Sequence, residues 1–529
     1  METRTRPAPK RPSPKRRGRA TPKPESPTPD AFTLAPGSPA PARFRLLDES
    51  QVEELKHRCF DLLADYGVVV IHPVAIDALK KAGARPGRDA DRLRLPRELV
   101  EQALDAAPKS VTLHGKRPAL DLHLPRRDGS FVMRTGTGAH GYVDPRDAAY
   151  RNLDLKAVRE MAAVASALDQ VGFIAHPFVD GVPEVTADIH SFATMVAHTN
   201  KHCWIQPYGK DNVEYLMRIA AIAAGGEAAL RERPIASVIT CSFSPLEFKH
   251  MDSEAILQAG RWNLPIHACS LPSAGGTAPL TTGGMVLMAG AEILAMVVLA
   301  HLLAPGTPVI ATPLMFTLDM KTGSALQSCP ESIQAASMAI QLMKQGFGLP
   351  AHSYGAGSDT PDADMQSMAE RALLGQAVAE AGADILGGVG QLECATVFSP
   401  VQAVLDDEVG AMIRRFLTPP EIGDEALNWD EVRAIRTGGH FLDSAHTLAL
   451  CRAQHMPGVF LRQGRDDYEH ANRRTAFDAA RERALALIEA APEEGVLSAD
   501  QRREIKDVVA AGDRHIVAAN AAAGATEVI

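Results

Sequence analysis

The side chains able to do chemistry in this chain are thinly spread. His176, Cys203, Cys241, His267, Cys269, His352 and Cys394 could ligate a metal, but only His267 and Cys269 stand two residues apart. On a strand these two share one face, and further ligands could complete a zinc site. A buried thiol beside a hydrogen-bonded core histidine is the plainer reading of each. The charges near these positions are few: Arg134, Asp359 and Glu393. Hydrolytic sites usually display paired carboxylates or a metal cluster, and no such group stands out here. Thr135-Gly136-Thr137-Gly138 has a faint likeness to a phosphate loop. It lacks the G-x-G-x-x-G spacing, and the next helix begins only near Asp154. Neither a G-x-S-x-G elbow nor an H-E-x-x-H pair is present.

These residues sit at the ends of a repeated unit. From residue 131 onward, a short apolar run, a turn rich in Gly, Pro or Ser, and a helix-length amphipathic segment recur. The strand candidates are 131–134, 172–176, 202–206, 236–241, 265–270, 308–312, 350–354 and 383–388. The helices that follow them are about 154–169, 186–199, 210–225, 252–262, 283–304, 330–347, 363–381 and 400–416. Eight β–α units predict an α/β fold with a parallel sheet closed into a (β/α)8 TIM barrel; a doubly wound open sheet is the alternative. In a barrel the active site lies at the C-terminal strand ends, where His176, Gln206, Cys241, Tyr354 and the loops around Arg134 and Glu393 fall.

Four regions are expected. Residues 1–44 hold ten Lys or Arg against three Asp or Glu, many prolines and no apolar signal core, and read as a disordered basic tail. Residues 45–130 form a cap region, with Ser50 and Glu53 predicted as the capping box of a first helix reaching about Tyr66 and a second helix over 95–107. The barrel spans 131–416. Residues 417–529 form a helical region that could serve as a lid, a homo-oligomer element or a partner-docking surface. The formal net charge of -9, with a basic tail, leaves an acidic body and argues against nucleic acid as a partner. Seven cysteines without a C-x-x-C pair fit a reducing compartment, hence the cytoplasm. The longest apolar run, near 285–303, contains Glu292 and His301 and reads as a buried barrel helix, so no membrane is expected.

The loops also resemble a known family. His202-Cys-Trp-Ile-Gln-Pro-Tyr-Gly209, Cys241-Ser-Phe-Ser-Pro-Leu-Glu247, Ser273-Ala-Gly-Gly-Thr-Ala-Pro279, the stretch Gly355–Gln366 and Gly390-Gln-Leu-Glu393 followed by Phe398-Ser399 look like successive motifs of the trimethylamine methyltransferase (MttB-like) superfamily, over roughly 45–470. The resemblance implies a TIM-barrel methyltransferase that moves a methyl group from a methylated amine to the Co(I) of a corrinoid (cobalamin) carried by a partner protein, with no tightly bound metal of its own. It implies a link to methanogenesis-type methyl metabolism. The trimethylamine enzymes carry pyrrolysine just before a Ser-Asp pair; here Gly357 precedes Ser358-Asp359. This points to a quaternary amine such as glycine betaine, which leaves as a neutral amine and needs no activating residue. A cation site of aromatic faces is then expected, drawn from Tyr142, Phe178, Trp204, Tyr208, Phe243, Phe316 and Tyr354. Gln206, His176, His352 or Arg134 would meet a betaine carboxylate, Gly357 would line the pocket, and Glu393 would either pair with the ammonium or hydrogen-bond backbone at the barrel mouth. Another methyl acceptor or chemistry on the same barrel, or a non-catalytic methylamine-binding protein, would share these motifs.

Overall fold

The computed structural model describes residues 44–522, apart from residues 90, 127, 420 and 421. Of the basic segment expected to be disordered, residues 1–44, all but Phe44 lie outside the described residues. The eight expected strands all form: β1 (Val132–Thr135), β2 (Val171–Ala175), β3 (His202–Ile205), β4 (Ala236–Cys241), β5 (Ile266–Ser270), β6 (Val309–Pro313), β7 (His352–Tyr354) and β8 (Ile385–Val389). They hydrogen-bond in the order β6-β5-β4-β3-β2-β1-β8-β7, and every pair is parallel. A bridge between Ala311 and Ala351 joins β6 to the β7 segment and closes the ring. The open-sheet alternative is thereby set aside.

Each strand is followed by its helix: α1 (Leu155–Ala167), α2 (Ala187–Ala197), α3 (Val213–Ala224), α4 (His250–Trp262), α5 (Thr282–Leu303), α6 (Pro330–Gln341), α7 (Met365–Glu380) and α8 (Pro400–Leu417). Their starts are chemically marked. The Asp154, Asp364 and Ser399 side chains accept backbone N–H groups of α1, α7 and α8, and Pro400 occupies the first turn of α8.

Helix α5 is long and apolar enough to cross a membrane, yet most of it is buried inside the protein. The reason is its position. The barrel covers one side through β5 and β6, while helices Glu49–Asp65, Pro73–Lys81 and Arg97–Ala106 cover another. A helix enclosed on all sides carries no polar stripe.

The first of those outer helices begins two residues earlier than expected. Asp48, not Ser50, is its N-cap: the Asp48 carboxylate accepts from Gln51 N at 2.9 Å, and Gln51 reaches back to Asp48 N at 3.0 Å. Ser50 instead donates to Asp48 Oδ1. A carboxylate is the stronger acceptor and adds a favourable charge at the helix N-terminus. Beyond these helices, the hairpin Val111–Leu113/Leu122–Leu124 closes the N-terminal end of the barrel. Its Val111, Leu113 and Leu124 pack with Val132, Phe173, Ala175, Ile310 and Ile385 in an apolar floor, on whose upper side the Trp204 ring rests. The C-terminal helices Ala476–Ala490 and Ala499–Gly512 lie against α1, α8, α2 and α3 on the barrel's outer flank.

Candidate active site

Above the floor, the barrel interior changes character. TIM barrels usually fill this space with branched aliphatics. Here β1, β3, β5 and β7 contribute Arg134, Trp204, His267 and His352, all fully buried. Arg134 is held flat. Its Cζ lies 4.1 Å from the Trp204 ring centroid, Nε donates to His352 Nε2 at 2.9 Å, and Nη1 donates to the Thr135 carbonyl at 2.6 Å. On β8 a Cβ at Gly387 would come within 2.9 Å of Arg134 Cζ and 2.8 Å of His352 Nε2, so only glycine leaves room for the guanidinium there. Burial lowers the Arg134 pKa to about 10, which still leaves it charged at neutral pH. Among the described residues no carboxylate pairs with it.

The hydrogen bonds fix the histidine tautomers. His202 Nδ1 donates to the His114 carbonyl at 2.9 Å, so its Nε2 is bare and accepts from Ser237 Oγ. Ser237 Oγ in turn accepts from His267 Nε2 at 3.0 Å, leaving His267 Nδ1 a bare acceptor. His352 accepts the Arg134 proton on Nε2 and therefore carries its own on Nδ1. All are neutral: burial lowers His202 to about 3 and pushes His267 and His352 well below the usual value, with neighbouring His202 and Arg134 adding to the effect.

This layer leaves atoms unsatisfied. Arg134 Nη2, Trp204 Nε1 and His352 Nδ1 are buried donors with no acceptor among the described residues. His267 Nδ1 in the same layer is a bare acceptor, and nearer the mouth His176 Nδ1 is an unpaired donor while Gln206 Oε1, Gln327 Oε1 and Gln391 Oε1 are buried acceptors with no donor among the described residues. Folded proteins pair the great majority of such groups. Such a concentration of unpaired polar atoms inside the barrel marks a candidate ligand site.

The residues singled out from sequence fall into three groups. His352, Tyr354, Phe316 and Gly357 come together: Phe316 meets Tyr354 edge to face at 5.8 Å, and Tyr354 lies 6.0 Å from Arg134 Cζ. His176 and Gln206 lie on the neighbouring wall, where His176 Nε2 accepts from Gln206 N at 3.0 Å and burial lowers the imidazole to about 4. The remaining three stand apart. Tyr142 spends its hydroxyl on Glu160 of α1 at 2.7 Å. Phe243 is exposed on the β4 loop with Lys249 Nζ 4.7 Å from its ring centroid. Glu393 is exposed and accepts from Thr396 Oγ1 at 2.9 Å. Asp359, read as a mouth charge, is instead a clamp that accepts the backbone N–H groups of Gln327 and Ser328 at 2.8 and 3.0 Å.

Gln327 was invisible in the motif pattern. It follows the short antiparallel strand Ala325–Leu326 that returns from the β6 loop. Its amide fills the space over Gly357, where a Cβ would lie 2.5 Å from Gln327 Cδ.

Two anchors hold the mouth loops. Glu292 of α5 accepts from Ser242, Ser244 and Ser270 hydroxyls at 2.6, 2.9 and 2.5 Å and from Leu246 N at 2.9 Å, tying the β4 and β5 loops together. Arg371 of α7 donates to the Ala356 and Gln391 carbonyls and pairs with Asp406 of α8 at 2.9 Å, tying the β7 and β8 loops. Between these anchors, Glu393, Cys394 and Ala395 all have positive φ. Left-handed non-glycine residues in series cost about 1–3 kcal/mol each and gather at functional sites.

A closed barrel with a polar, unsatisfied interior at its C-terminal end defines a small-molecule enzyme of the TIM-barrel class. The family model described as trimethylamine methyltransferase (MTTB) matches residues 15–516. The chain belongs to this family and is a methyltransferase by class. It is 29% identical over 431 residues to trimethylamine methyltransferase MttB of Desulfitobacterium hafniense, covering 81% of this chain and 86% of that one. It is 26% identical over 410 residues to a glycine betaine methyltransferase of the same species, covering 77% and 84%. The fold matches the monomethylamine methyltransferase of Methanosarcina barkeri with a TM-score of 0.51 at 13% identity, over 86% of this chain and 90% of that chain.

Proposed function

We propose that this protein transfers a methyl group from a betaine, a quaternary amine bearing a carboxylate, to the Co(I) of a corrinoid carried by a partner protein. The buried Arg134 guanidinium without a counter-ion carries the reading. An isolated buried charge is expensive, and a ligand carboxylate accepting from Arg134 Nη2, His352 Nδ1 and Trp204 Nε1 would neutralise it. The ammonium then stands toward the mouth beside Tyr354 and Phe316, whose ring faces attract a cation, and beside the bare oxygens of Gln327 and Gln391. In this orientation a methyl group points out of the barrel.

The chemistry agrees with the glycine at 357. A tertiary amine must be activated before it can release a methyl group, whereas a quaternary ammonium departs as a neutral amine. The chain's task reduces to holding the donor in line. The partner corrinoid would supply the nucleophile, as cofactors commonly supply the hard step. Exposed Phe178, Phe243, Leu280 and Met320 rise from four different mouth loops and Met365 from the start of α7, an apolar rim suited to a docking protein.

The test is calorimetry with glycine betaine, proline betaine, carnitine, choline and trimethylamine, followed by assay of methyl transfer to Co(I) cobalamin from the loss of its absorbance. A betaine should bind at least about 30-fold more tightly than choline or trimethylamine, because a buried charge contact is worth about 2–5 kcal/mol. Equal binding of choline would sink the carboxylate reading. Tight betaine binding without turnover would make the protein a sensor.

A further inference from the structure

Cys241 ends β4 and Cys269 lies on β5, directly opposite it in the parallel register. Both alternate inward with Ser237 and His267 on their strands, so the two side chains lie side by side on the inner face of the barrel. Both are free thiols. Residues in register on adjacent strands stand about 4.8 Å apart, within the Cα separation of about 4.4–6.8 Å that a disulfide bridges. Cys241 is partly exposed, while Cys269 is fully buried behind it.

We propose that Cys241 and Cys269 are a redox modification site: a reversible disulfide that joins β4 to β5 at the barrel mouth and weakens ligand binding. A hydroperoxide is the oxidant. The Cys241 thiolate attacks the peroxide oxygen, breaking the O–O bond to give a sulfenic acid and an alcohol (or water). The Cys269 sulfur then attacks the sulfenic sulfur; the S–S bond forms and the hydroxyl leaves as water with the Cys269 proton. Two thiols and one hydroperoxide thus become one disulfide, one alcohol and one water. A dithiol reductant reverses the change by exchange.

The position gives the bond a consequence. Ser242 N donates to the Cys269 carbonyl at 3.0 Å, and Ser242 and Ser270, next in sequence to the two cysteines, both donate to Glu292. Drawing the sulfurs from contact to a bond of about 2.05 Å pulls on both loops through that shared carboxylate. The neighbouring Cys269 thiol, and then burial, push the Cys241 thiol well above its ordinary value, so oxidation is slow at neutral pH and quickens as pH rises.

The experiment treats the full-length protein with hydrogen peroxide under native conditions, blocks remaining thiols by alkylation and maps peptides without reduction. A Cys241–Cys269 cross-linked peptide that dithiothreitol removes is expected, together with at least a tenfold loss of betaine affinity that reverses on reduction. Peroxide should leave the affinity of Cys269→Ser unchanged. The cross-link and an accompanying shift in melting temperature are read without any ligand, so a failed betaine assignment leaves them intact. Peroxide consumption with no such peptide overturns the site, and a cross-link with unchanged affinity and melting temperature overturns the switch.

Discussion

The lower and upper halves of the barrel interior treat polar atoms in opposite ways. Below, Phe173, Val132, Ile310 and Ile385 pack against the hairpin that closes the barrel, and His202 is bonded at both ring nitrogens, to the His114 carbonyl and to Ser237. Above, Arg134, Trp204 and His352 each keep a buried donor that no described residue pairs. Both layers are equally shielded from water, so burial does not separate them. Satisfaction does: the lower layer is finished by the chain itself, and the upper layer is finished only by something else. A stability role and a binding role can be told apart on that ground within one continuous barrel.

The comparison is broken most severely from below. Phe173 is fully buried and lies about 6 Å, centroid to centroid, from His202, Trp204 and His267. Phe173→Ala should cost about 3–5 kcal/mol of unfolding free energy through lost burial and a cavity, measured by denaturant titration. Betaine affinity of the folded protein should stay within about twofold. A large affinity loss at unchanged stability would show that the floor is part of the site.

The mirror experiment is Arg134→Met. Removing a structural core residue destabilises, but removing a lone buried cation also releases its desolvation cost, and such replacements are often neutral. The variant should hold its stability within about 1 kcal/mol while losing about 2–5 kcal/mol of carboxylate-ligand binding, read by thermal melts and calorimetry in parallel. A steep loss of stability with ligand binding retained would assign Arg134 to the fold.

The two halves were not equally legible in the sequence. The alternation of apolar runs and amphipathic segments prescribes every strand and helix of the barrel, because parallel strands covered on both faces must read as apolar runs. The motif loops then mark the mouth. Roles inside it depend on pairings between distant segments, which periodicity does not encode. Arg134 was visible as a charge, but that nothing answers it emerges only when β1, β3, β7 and β8 converge. Gln327 arrives on an antiparallel return strand outside the β–α rhythm, so no spacing pointed to it. Tyr142 looked like a cation-site aromatic, yet α1 brings Glu160 to its hydroxyl. Glu292 did carry a signal: one carboxylate inside a long apolar helix requires donors, and the serines flanking β4 and β5 supply them.

The mildest test titrates the floor. His202 is held neutral down to about 3, chiefly by burial, whereas in the unfolded chain an imidazole takes up its proton near 6.5. Between those values the unfolded state binds the proton and the folded state does not, so the stability His202 contributes is full above pH 6.5 and is lost as pH falls toward 3. Buried carboxylates work the other way: Asp188 and Asp252, raised to about 6 and about 7 chiefly by burial, favour the folded state as pH drops through that range. The total pH profile therefore mixes opposing contributions. Comparison with His202→Asn separates them, since the carboxylates are common to both proteins and an amide can still donate and accept. The stability difference between wild type and variant, from denaturant titrations at pH 7, 6, 5 and 4, should move against the wild type by about 1.4 kcal/mol for each pH unit below 6.5. A difference that stays constant across this range would mean that His202 takes up its proton equally in both states. The floor would then be open to water, and the contrast between a sealed lower layer and a receptive upper one would fail.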